Sequence, residues 1–275
     1  MKNMVTLQTA ENALKTVYLG VVSNQLNINV NPLLTKIKQS SADVWGKEIR
    51  KLAPIGINGG IGAGTEDGKL PRAAGNTYAQ FISTLKNLYG TIEISDKAIR
   101  ASESNSGAFV NLLNAEMEGL IKASSFNFGR MLYGNGSGHL ASVVSHTVTN
   151  DYFVVDSVKN LMEGMLIEFY DAEFDEVRSA PGYINRRIKA IDRAGKRVYT
   201  DVKLTSGLAA GDVVFLQGSL NLEITGLGAI FGDTDTLYGV SKADNLWMNP
   251  YVKSSVGDIT DIVIQSAIDQ LDENY

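Results

Sequence analysis

Lys69, the Ser137–His139 pair and the carboxylates between Asp171 and Glu176 are the residues whose types and spacing come closest to chemistry. Lys69 follows Gly68, as the lysine of a phosphate-binding loop follows its glycine. That loop needs another glycine five residues earlier and a Ser or Thr next, opening a helix whose N–H groups cradle phosphate. Ala63 stands at the first position, and Leu70-Pro71 follow the lysine, so no cradle results. A nucleophile elbow requires glycine two residues before and two after its serine. Around Ser137 those places hold Asn135 and His139, and no orienting acid is evident. Gly134-Asn-Gly-Ser-Gly138 therefore reads as a turn. Asp171-Ala-Glu-Phe-Asp-Glu176 alternates carboxylates as a calcium loop does. Its sixth position is Glu176 rather than the glycine of the sharp turn, and the closing bidentate glutamate is missing. Such an acidic run reads as a solvated face. Arg186, Arg187, Lys189 and Arg193 form a modest basic cluster, read as the polar face of a strand. No catalytic, cofactor-binding or metal-binding constellation emerges, and the chain reads as a non-enzyme.

Composition narrows the classes further. With 275 residues, 44% of them apolar, the chain can bury a sizeable core in one to three domains. A net charge of −5 argues against a dedicated nucleic-acid binder held by phosphate contacts. Cysteine is absent, which excludes disulfides and thiolate metal sites and suits a reducing cytosol. Only two histidines are present, His139 and His146. No apolar run reaches membrane-spanning length, and the opening Met1–Ala10 lacks the apolar core of a secretory signal.

The elements that would position any functional residue are unusual in their order. Leu7, Leu14, Val17, Val21 and Val22 recur at helical spacing over residues 7–25, and Asn27–Pro32 ends that pattern. A shorter segment runs from Leu33 to Trp45. The opening reads equally as an arm lying on other surfaces or as a helical hairpin. Lys47–Ile55 reads as a strand and Tyr78–Leu85 as its alternating partner, with Thr91–Ser95 continuing extended. Between the two strands, seven glycines fall from Gly56 to Gly75. Glycine loses the most backbone freedom on folding, so this run is costly to order unless something outside it holds it. A lone hairpin is marginal in water. The pattern predicts a long arm that becomes ordered on a neighbouring subunit.

Ser106–Tyr133 is the strongest helix. Phe109, Leu113, Met117, Leu120, Ser124, Phe128 and Met131 step by three and four, and Leu112, Ile121 and Leu132 widen the stripe. Glu116, Glu118, Lys122, Asn127 and Arg130 fall on the opposite, polar face. At 1.5 Å per residue the helix would reach roughly 40 Å, a structural beam. From Ala141 to Gly218 short strands follow: 142–148, 152–156, 165–170, 183–191, 197–204 and 212–217. Asp192–Gly195 reads as a hairpin turn and Asp171–Pro181 as a charged loop. This section predicts a small β-barrel or sandwich. Leu222–Phe231 reads as a glycine-broken strand. Asp258–Leu271 reads as a helix capped by Asp258, with Ile259, Ile262, Val263, Ala267, Ile268 and Leu271 on one face. No strand follows for it to pack on, and the chain reads as a fragment of a longer protein. Trp45 and Trp247 read as packing residues.

The order of these parts, with Leu132-Tyr-Gly-Asn-Gly-Ser-Gly138, Gly226-Leu-Gly-Ala-Ile-Phe231 and the helix Asp258–Leu271, resembles the major capsid proteins of tailed bacteriophages, which have the HK97-like fold. The resemblance covers most of residues 5–140 and 221–275 and implies an α+β architecture. It assigns 1–46 to an N-terminal arm and 47–95 to the extended hairpin loop. Residues 96–140 become the spine helix and peripheral domain, and 221–250 the return to that domain. Residues 251–275 become the start of an incomplete axial domain. Residues 141–220 depart from the family's short path and read as an inserted β-rich domain.

The resemblance implies a structural protein that self-assembles into hexamers and pentamers of an icosahedral shell around double-stranded DNA. The shell would touch the DNA non-specifically, form in a bacterial host's cytoplasm and reside in the virion. Scaffolding, portal and decoration proteins are implied partners, and a membrane is not. Inter-subunit contacts fall to the arm, at Gly56, Gly60, Gly64, Lys69, Arg72, Tyr78 and Phe81. Some relatives crosslink a loop lysine to a neighbour's asparagine, but the partner region is missing here, so that chemistry is not assigned to Lys69. Encapsulin shells share the architecture and are the alternative within the fold. A carbohydrate-binding β-module, with Tyr152, Phe153, Phe169, Tyr170, Tyr183 and Tyr199 as stacking aromatics, is the alternative from another class.

Overall fold

In the computed structural model, which describes residues 32–37, 44–93, 106–173, 185–232 and 235–274, antiparallel strands and one long helix carry most of the regular structure. The predicted helix over 7–25, Ile94 and Ser95, and most of the Asp171–Pro181 loop lie outside the described residues. Between 33 and 45 the chain gives a short helix α1 (Pro32–Lys36) and the two-residue strand β1 (Val44–Trp45). Next come β2 (Glu48–Gly56) and β3 (Thr77–Thr84), paired antiparallel from Glu48–Thr84 out to Gly56–Thr77. Thr91–Glu93 forms no strand, contrary to expectation. Instead Gly90 approaches Leu120 of the long helix α2 (Ser106–Met131), where an added Cβ would lie 2.9 Å from a leucine methyl.

Helix α2 ends at Met131, two residues before the expected end, and its last turn is where the polar-face assignment fails. Asn127 is buried, and so is the Arg130 side chain. Helical periodicity places a residue on a face, but another segment decides whether that face meets water. Here the segment around Glu223 covers it.

The chain from His139 to Leu216 closes into a six-stranded antiparallel barrel. Its strands are β4 (His139–His146), β5 (Tyr152–Val155), β6 (Leu166–Tyr170), β7 (Arg186–Asp192), β8 (Arg197–Thr200) and β9 (Val213–Leu216). Around the barrel the order is β4-β5-β8-β7-β6-β9. In β5, β6 and β8 the burial alternates strictly: Phe153 and Val155, Ile167 and Phe169, and Val198 and Thr200 point inward, while their neighbours do not. Strand β4 serves two partners, pairing with β9 through its first half and β5 through its second, with a register break in each ladder. Phe153 meets Phe169 edge-on at 5.2 Å in the core. Phe126 of α2 packs on the same core, joining helix to barrel. In the β7–β8 turn, Asp192 Oδ1 accepts from the N–H groups of Ala194 and Gly195.

After the barrel, the expected strand over Leu222–Phe231 is instead a loop leading to a short helix, α3 (Leu227–Phe231). The reason lies in α2. The last carbonyls of a helix have no partner within it. The N–H groups of Gly226, Leu227 and Gly228 donate to the carbonyls of Gly134, Leu132 and Tyr133, at 3.1, 2.9 and 3.2 Å. Amides at the start of one helix thus satisfy the exit of the other. The carbonyls at the exit of α3 accept from a buried lysine: Lys242 Nζ donates to Ala229, Ile230 and Gly232 at 3.2, 3.1 and 2.9 Å. Strands β10 (Thr236–Leu237) and β11 (Val240–Ser241) form a small hairpin, followed by a 3₁₀ turn at Leu246–Met248. The final helix α4 spans Asp261–Asn274. It starts three residues later than predicted, and Thr260 rather than Asp258 caps it, its Oγ1 accepting from the Val263 N–H at 3.4 Å.

Candidate functional site

The feature most open to a partner is the arm at the end of the β2–β3 hairpin. Beyond the Gly56–Thr77 pair the ladder stops, yet the two legs stay together as far as Gly62 and Pro71. A Cβ added at Gly60 would lie 3.2 Å from the Ala74 nitrogen, and one at Gly62 would lie 3.2 Å from Pro71 Cβ. Missing side chains let the legs run this close. Asn58 Oδ1 accepts from the Gly60 N–H, and Gly68 N–H donates to the Thr65 carbonyl at the tip. Every residue from Ile61 to Tyr78 is exposed.

Three large apolar side chains ride on this arm. Ile57, Ile61 and Leu70 are 92%, 91% and 91% exposed. Fully burying such a side chain is worth about 1.5–3 kcal/mol. The chain forgoes that gain three times over a short stretch. The signal for these residues was present in the sequence: isolated aliphatics inside a glycine run have nothing nearby to bury them.

The predicted contact residues separate into groups. Gly56, Gly60, Gly64, Lys69 and Arg72 all sit on the arm, with Lys69 and Arg72 exposed. Tyr78, 53% exposed, stands at the arm's base, its hydroxyl accepting from Asn76 Nδ2 at 3.4 Å. Phe81 is instead engaged within the chain, edge-on to Trp247 at 6.1 Å. Beside it, the Ile82 N–H donates to the Tyr238 carbonyl at 2.8 Å. The Tyr238 hydroxyl donates to the Thr225 carbonyl at 3.4 Å, and burial raises its pKa above the ordinary phenol value. The base of the arm is therefore anchored to residues 225–248, while its far end is open.

The stretches weighed for chemistry resolve into local structure. The Ser137 hydroxyl donates to Asn135 Oδ1 at 2.6 Å and accepts from the His139 N–H, while the His139 ring turns to Ser142 Oγ. That is a turn geometry. Arg130, Tyr133, His139, Asn160 and Glu223 border a small open cleft, but the Arg130 and Glu223 charges are turned on each other. Among the described residues no group of three His, Asp or Glu side chains could hold a metal ion. Of the barrel aromatics, Phe153 and Phe169 are buried in the core and cannot stack on a sugar. Tyr152 and Tyr199 pair at 5.6 Å, and the Arg197 guanidinium lies over the Tyr152 ring at 4.9 Å. Tyr183 lies outside the described residues. No helix among the described residues is long and apolar enough to cross a membrane. No family model, curated protein or solved structure matches the chain.

Proposed function

We propose that this chain is a structural shell subunit, the major capsid protein of a tailed bacteriophage with the HK97-like fold. It assembles into hexamers and pentamers of an icosahedral head around double-stranded DNA. The observation that carries the reading is the open arm. A hairpin anchored at its base exposes Ile57, Ile61 and Leu70 at its end. Such an arm gains its apolar contacts only on assembly, and binding then stabilises both arm and shell. A closed shell repeats one contact by symmetry and needs no catalytic residue. The long helix α2, tied at its exit to α3 and through Phe126 to the barrel, supplies a beam that joins the barrel to the segment holding the arm's base. The barrel of residues 139–216 is the inserted domain in this reading, and residues 251–274 open the axial domain.

Negative-stain electron microscopy of the full-length gene product tests this. Closed shells, or free hexamers and pentamers, are the expected result. A persistent monomer at high concentration would overturn the proposal. An encapsulin-type compartment would give the same particles, and packaged nucleic acid in particles from the native source distinguishes the phage head from it.

A further inference from the structure

Asparagine followed by glycine occurs twice in the chain, at Asn58-Gly59 and Asn135-Gly136. In such a pair the glycine nitrogen can attack the side-chain carbonyl carbon of the asparagine, because no Cβ stands in the way. The fold treats the two pairs differently. Asn58 and Gly59 are both exposed, just beyond the Gly56–Thr77 pair that ends the ladder. Among the described residues no main-chain hydrogen bond holds either of them. The Gly60 N–H donates to Asn58 Oδ1 at 2.9 Å. A donor thus already faces the oxygen that takes up negative charge when the carbonyl is attacked. Asn135 Oδ1 accepts in the same way from the Ser137 N–H, so the difference lies in the backbone. There the Gly134 carbonyl accepts from the Gly226 and Gly228 N–H groups, both at 3.1 Å, and the Ser137 carbonyl from the Asn221 N–H at 2.7 Å. Gly136 between them faces the Glu223 and Ile224 carbonyls, 3.5 and 3.6 Å from where a Cβ would stand. Asn135 cannot swing its main chain into a ring without breaking this packing.

We infer that Asn58 is a site of spontaneous modification. The Gly59 nitrogen bonds to Asn58 Cγ, and the side-chain nitrogen leaves as ammonia, taking the Gly59 proton with it and closing a succinimide. Water then opens that ring at either carbonyl. One opening leaves aspartate, and the other leaves isoaspartate, with the main chain running through the former side chain. The net exchange is water in and ammonia out, with no oxidant or reductant. Either product places a carboxylate in the leading leg of the arm, which runs close to Ala74 and Pro71 of the returning leg. Isoaspartate also lengthens the leading leg by a backbone carbon, so its register against the returning leg slips. The arm ages in this way while the turn at Asn135 holds. The chemistry requires an exposed arm and nothing of the shell reading.

The full chain is kept dilute at mildly alkaline pH, both folded and in denaturant. Peptide mass spectrometry follows the amide-to-acid mass gain at Asn58 and Asn135, and enzymatic methylation identifies isoaspartate. In denaturant the two asparagines should convert at similar rates. In the folded chain Asn58 should outpace Asn135 by about tenfold or more, the factor for breaking one main-chain hydrogen bond. Isoaspartate should accumulate at position 58. Gly59→Val fits the arm, since its Cβ would lie 4.0 Å from Ala74 Cβ, and should slow Asn58 because a branched side chain crowds the attacking nitrogen. Equal rates at Asn58 and Asn135 in the folded chain would overturn the assignment. So would an Asn58 that converts only in denaturant, which would show that the fold shields it. Aspartate without isoaspartate would overturn it too, because direct hydrolysis of the amide would then replace the ring.

Discussion

Arg130 and Glu223, far apart in the chain, meet in a two-pronged ion pair at 2.8 and 2.5 Å, with side chains only 7% and 4% exposed. Asn127 Oδ1 takes the remaining Nε–H of Arg130 at 3.0 Å, and Asn127 Nδ2 donates to the Ala123 carbonyl. The beam helix is thereby fastened to the segment that leaves the barrel. A buried charge stripped of its partner costs far more than the intact pair contributes, because desolvation is then uncompensated. Glu223→Ala should therefore lower the unfolding free energy by about 3–5 kcal/mol. Arg130→Met with Glu223→Leu should lose much less, since no charge is left buried. Chemical denaturation of the three proteins checks this, and equal losses in both variants would refute it.

Neither side of that pair announces itself in the sequence. Arg130 falls on the polar arc of its helix, beside Lys122 and Glu118, which are exposed as the pattern predicts. Only a segment 93 positions away covers it. The α3 helix was hidden for a similar reason. Leucine, isoleucine and phenylalanine among glycines read as a broken strand, and helix is selected by the unsatisfied carbonyls at the end of α2. The barrel strands were legible because the cause is local: period-two alternation in Tyr152–Val155 and Leu166–Tyr170 forces one face inward wherever the strands pair. The arm was legible from its glycines, and its aliphatics carried a readable signal too, since nothing within the glycine run can bury them. Phe81 alternates like a contact residue, and nothing local showed that Trp247 would meet it.

Two glycine-to-alanine changes should act in opposite directions. A Cβ at Gly226 would collide with the carbonyl oxygens of Met131 and Leu132, both main-chain atoms that cannot turn aside. Gly226→Ala should cost about 1–3 kcal/mol, as forced overpacking does. Gly119 lies exposed within α2, and a Cβ there meets nothing within 4 Å. Gly119→Ala should stabilise by up to about 1 kcal/mol through helix propensity. Thermal melts of both variants beside the parent should move in opposite senses.

His146 gives the barrel a pH dependence. Its Nδ1 accepts from the Leu208 N–H at 3.1 Å, which requires an unprotonated Nδ1 in the fold. Burial lowers its pKa below the ordinary 6.5. Between the folded and unfolded values the unfolded chain binds more protons, so stability rises with pH there. The contribution of His146 is complete above about pH 6.5 and fades as pH falls toward the lower folded value. His146→Asn keeps an acceptor and removes the titration. The difference in melting temperature between parent and variant should change between pH 7.5 and pH 5.5, to the parent's disadvantage at the lower pH. A constant difference would show that this ring does not titrate on unfolding.

Lys242 places an ammonium among the last carbonyls of α3, and its stem is buried with it. Lys242→Met keeps the stem but removes the donor that these three carbonyls share, and each buried group left unsatisfied costs about 1–3 kcal/mol unless water reaches it. The loss should loosen α3 first. Because α3 amides satisfy the end of α2, hydrogen exchange should quicken at Gly226, Leu227 and Gly228 while Val198 in the barrel keeps its protection.

The arm should prove dispensable for folding and indispensable for assembly. Residues 57–76 contribute no buried side chain, and Ile57, Ile61 and Leu70 lie almost wholly in solvent. Replacing that stretch by Asn-Gly closes β2 and β3 with a two-residue turn. The melting temperature of the isolated subunit should stay within a few degrees of the parent, since little apolar area is lost. Shells or capsomers should fail to form. In the parent, hydrogen exchange over 57–76 should be fast in the free subunit and slow in the assembled particle. An arm already as protected in the free subunit as helix α2 would mean that its order comes from its own chain, and a shortened subunit that still assembles would remove the arm from the shell contact altogether.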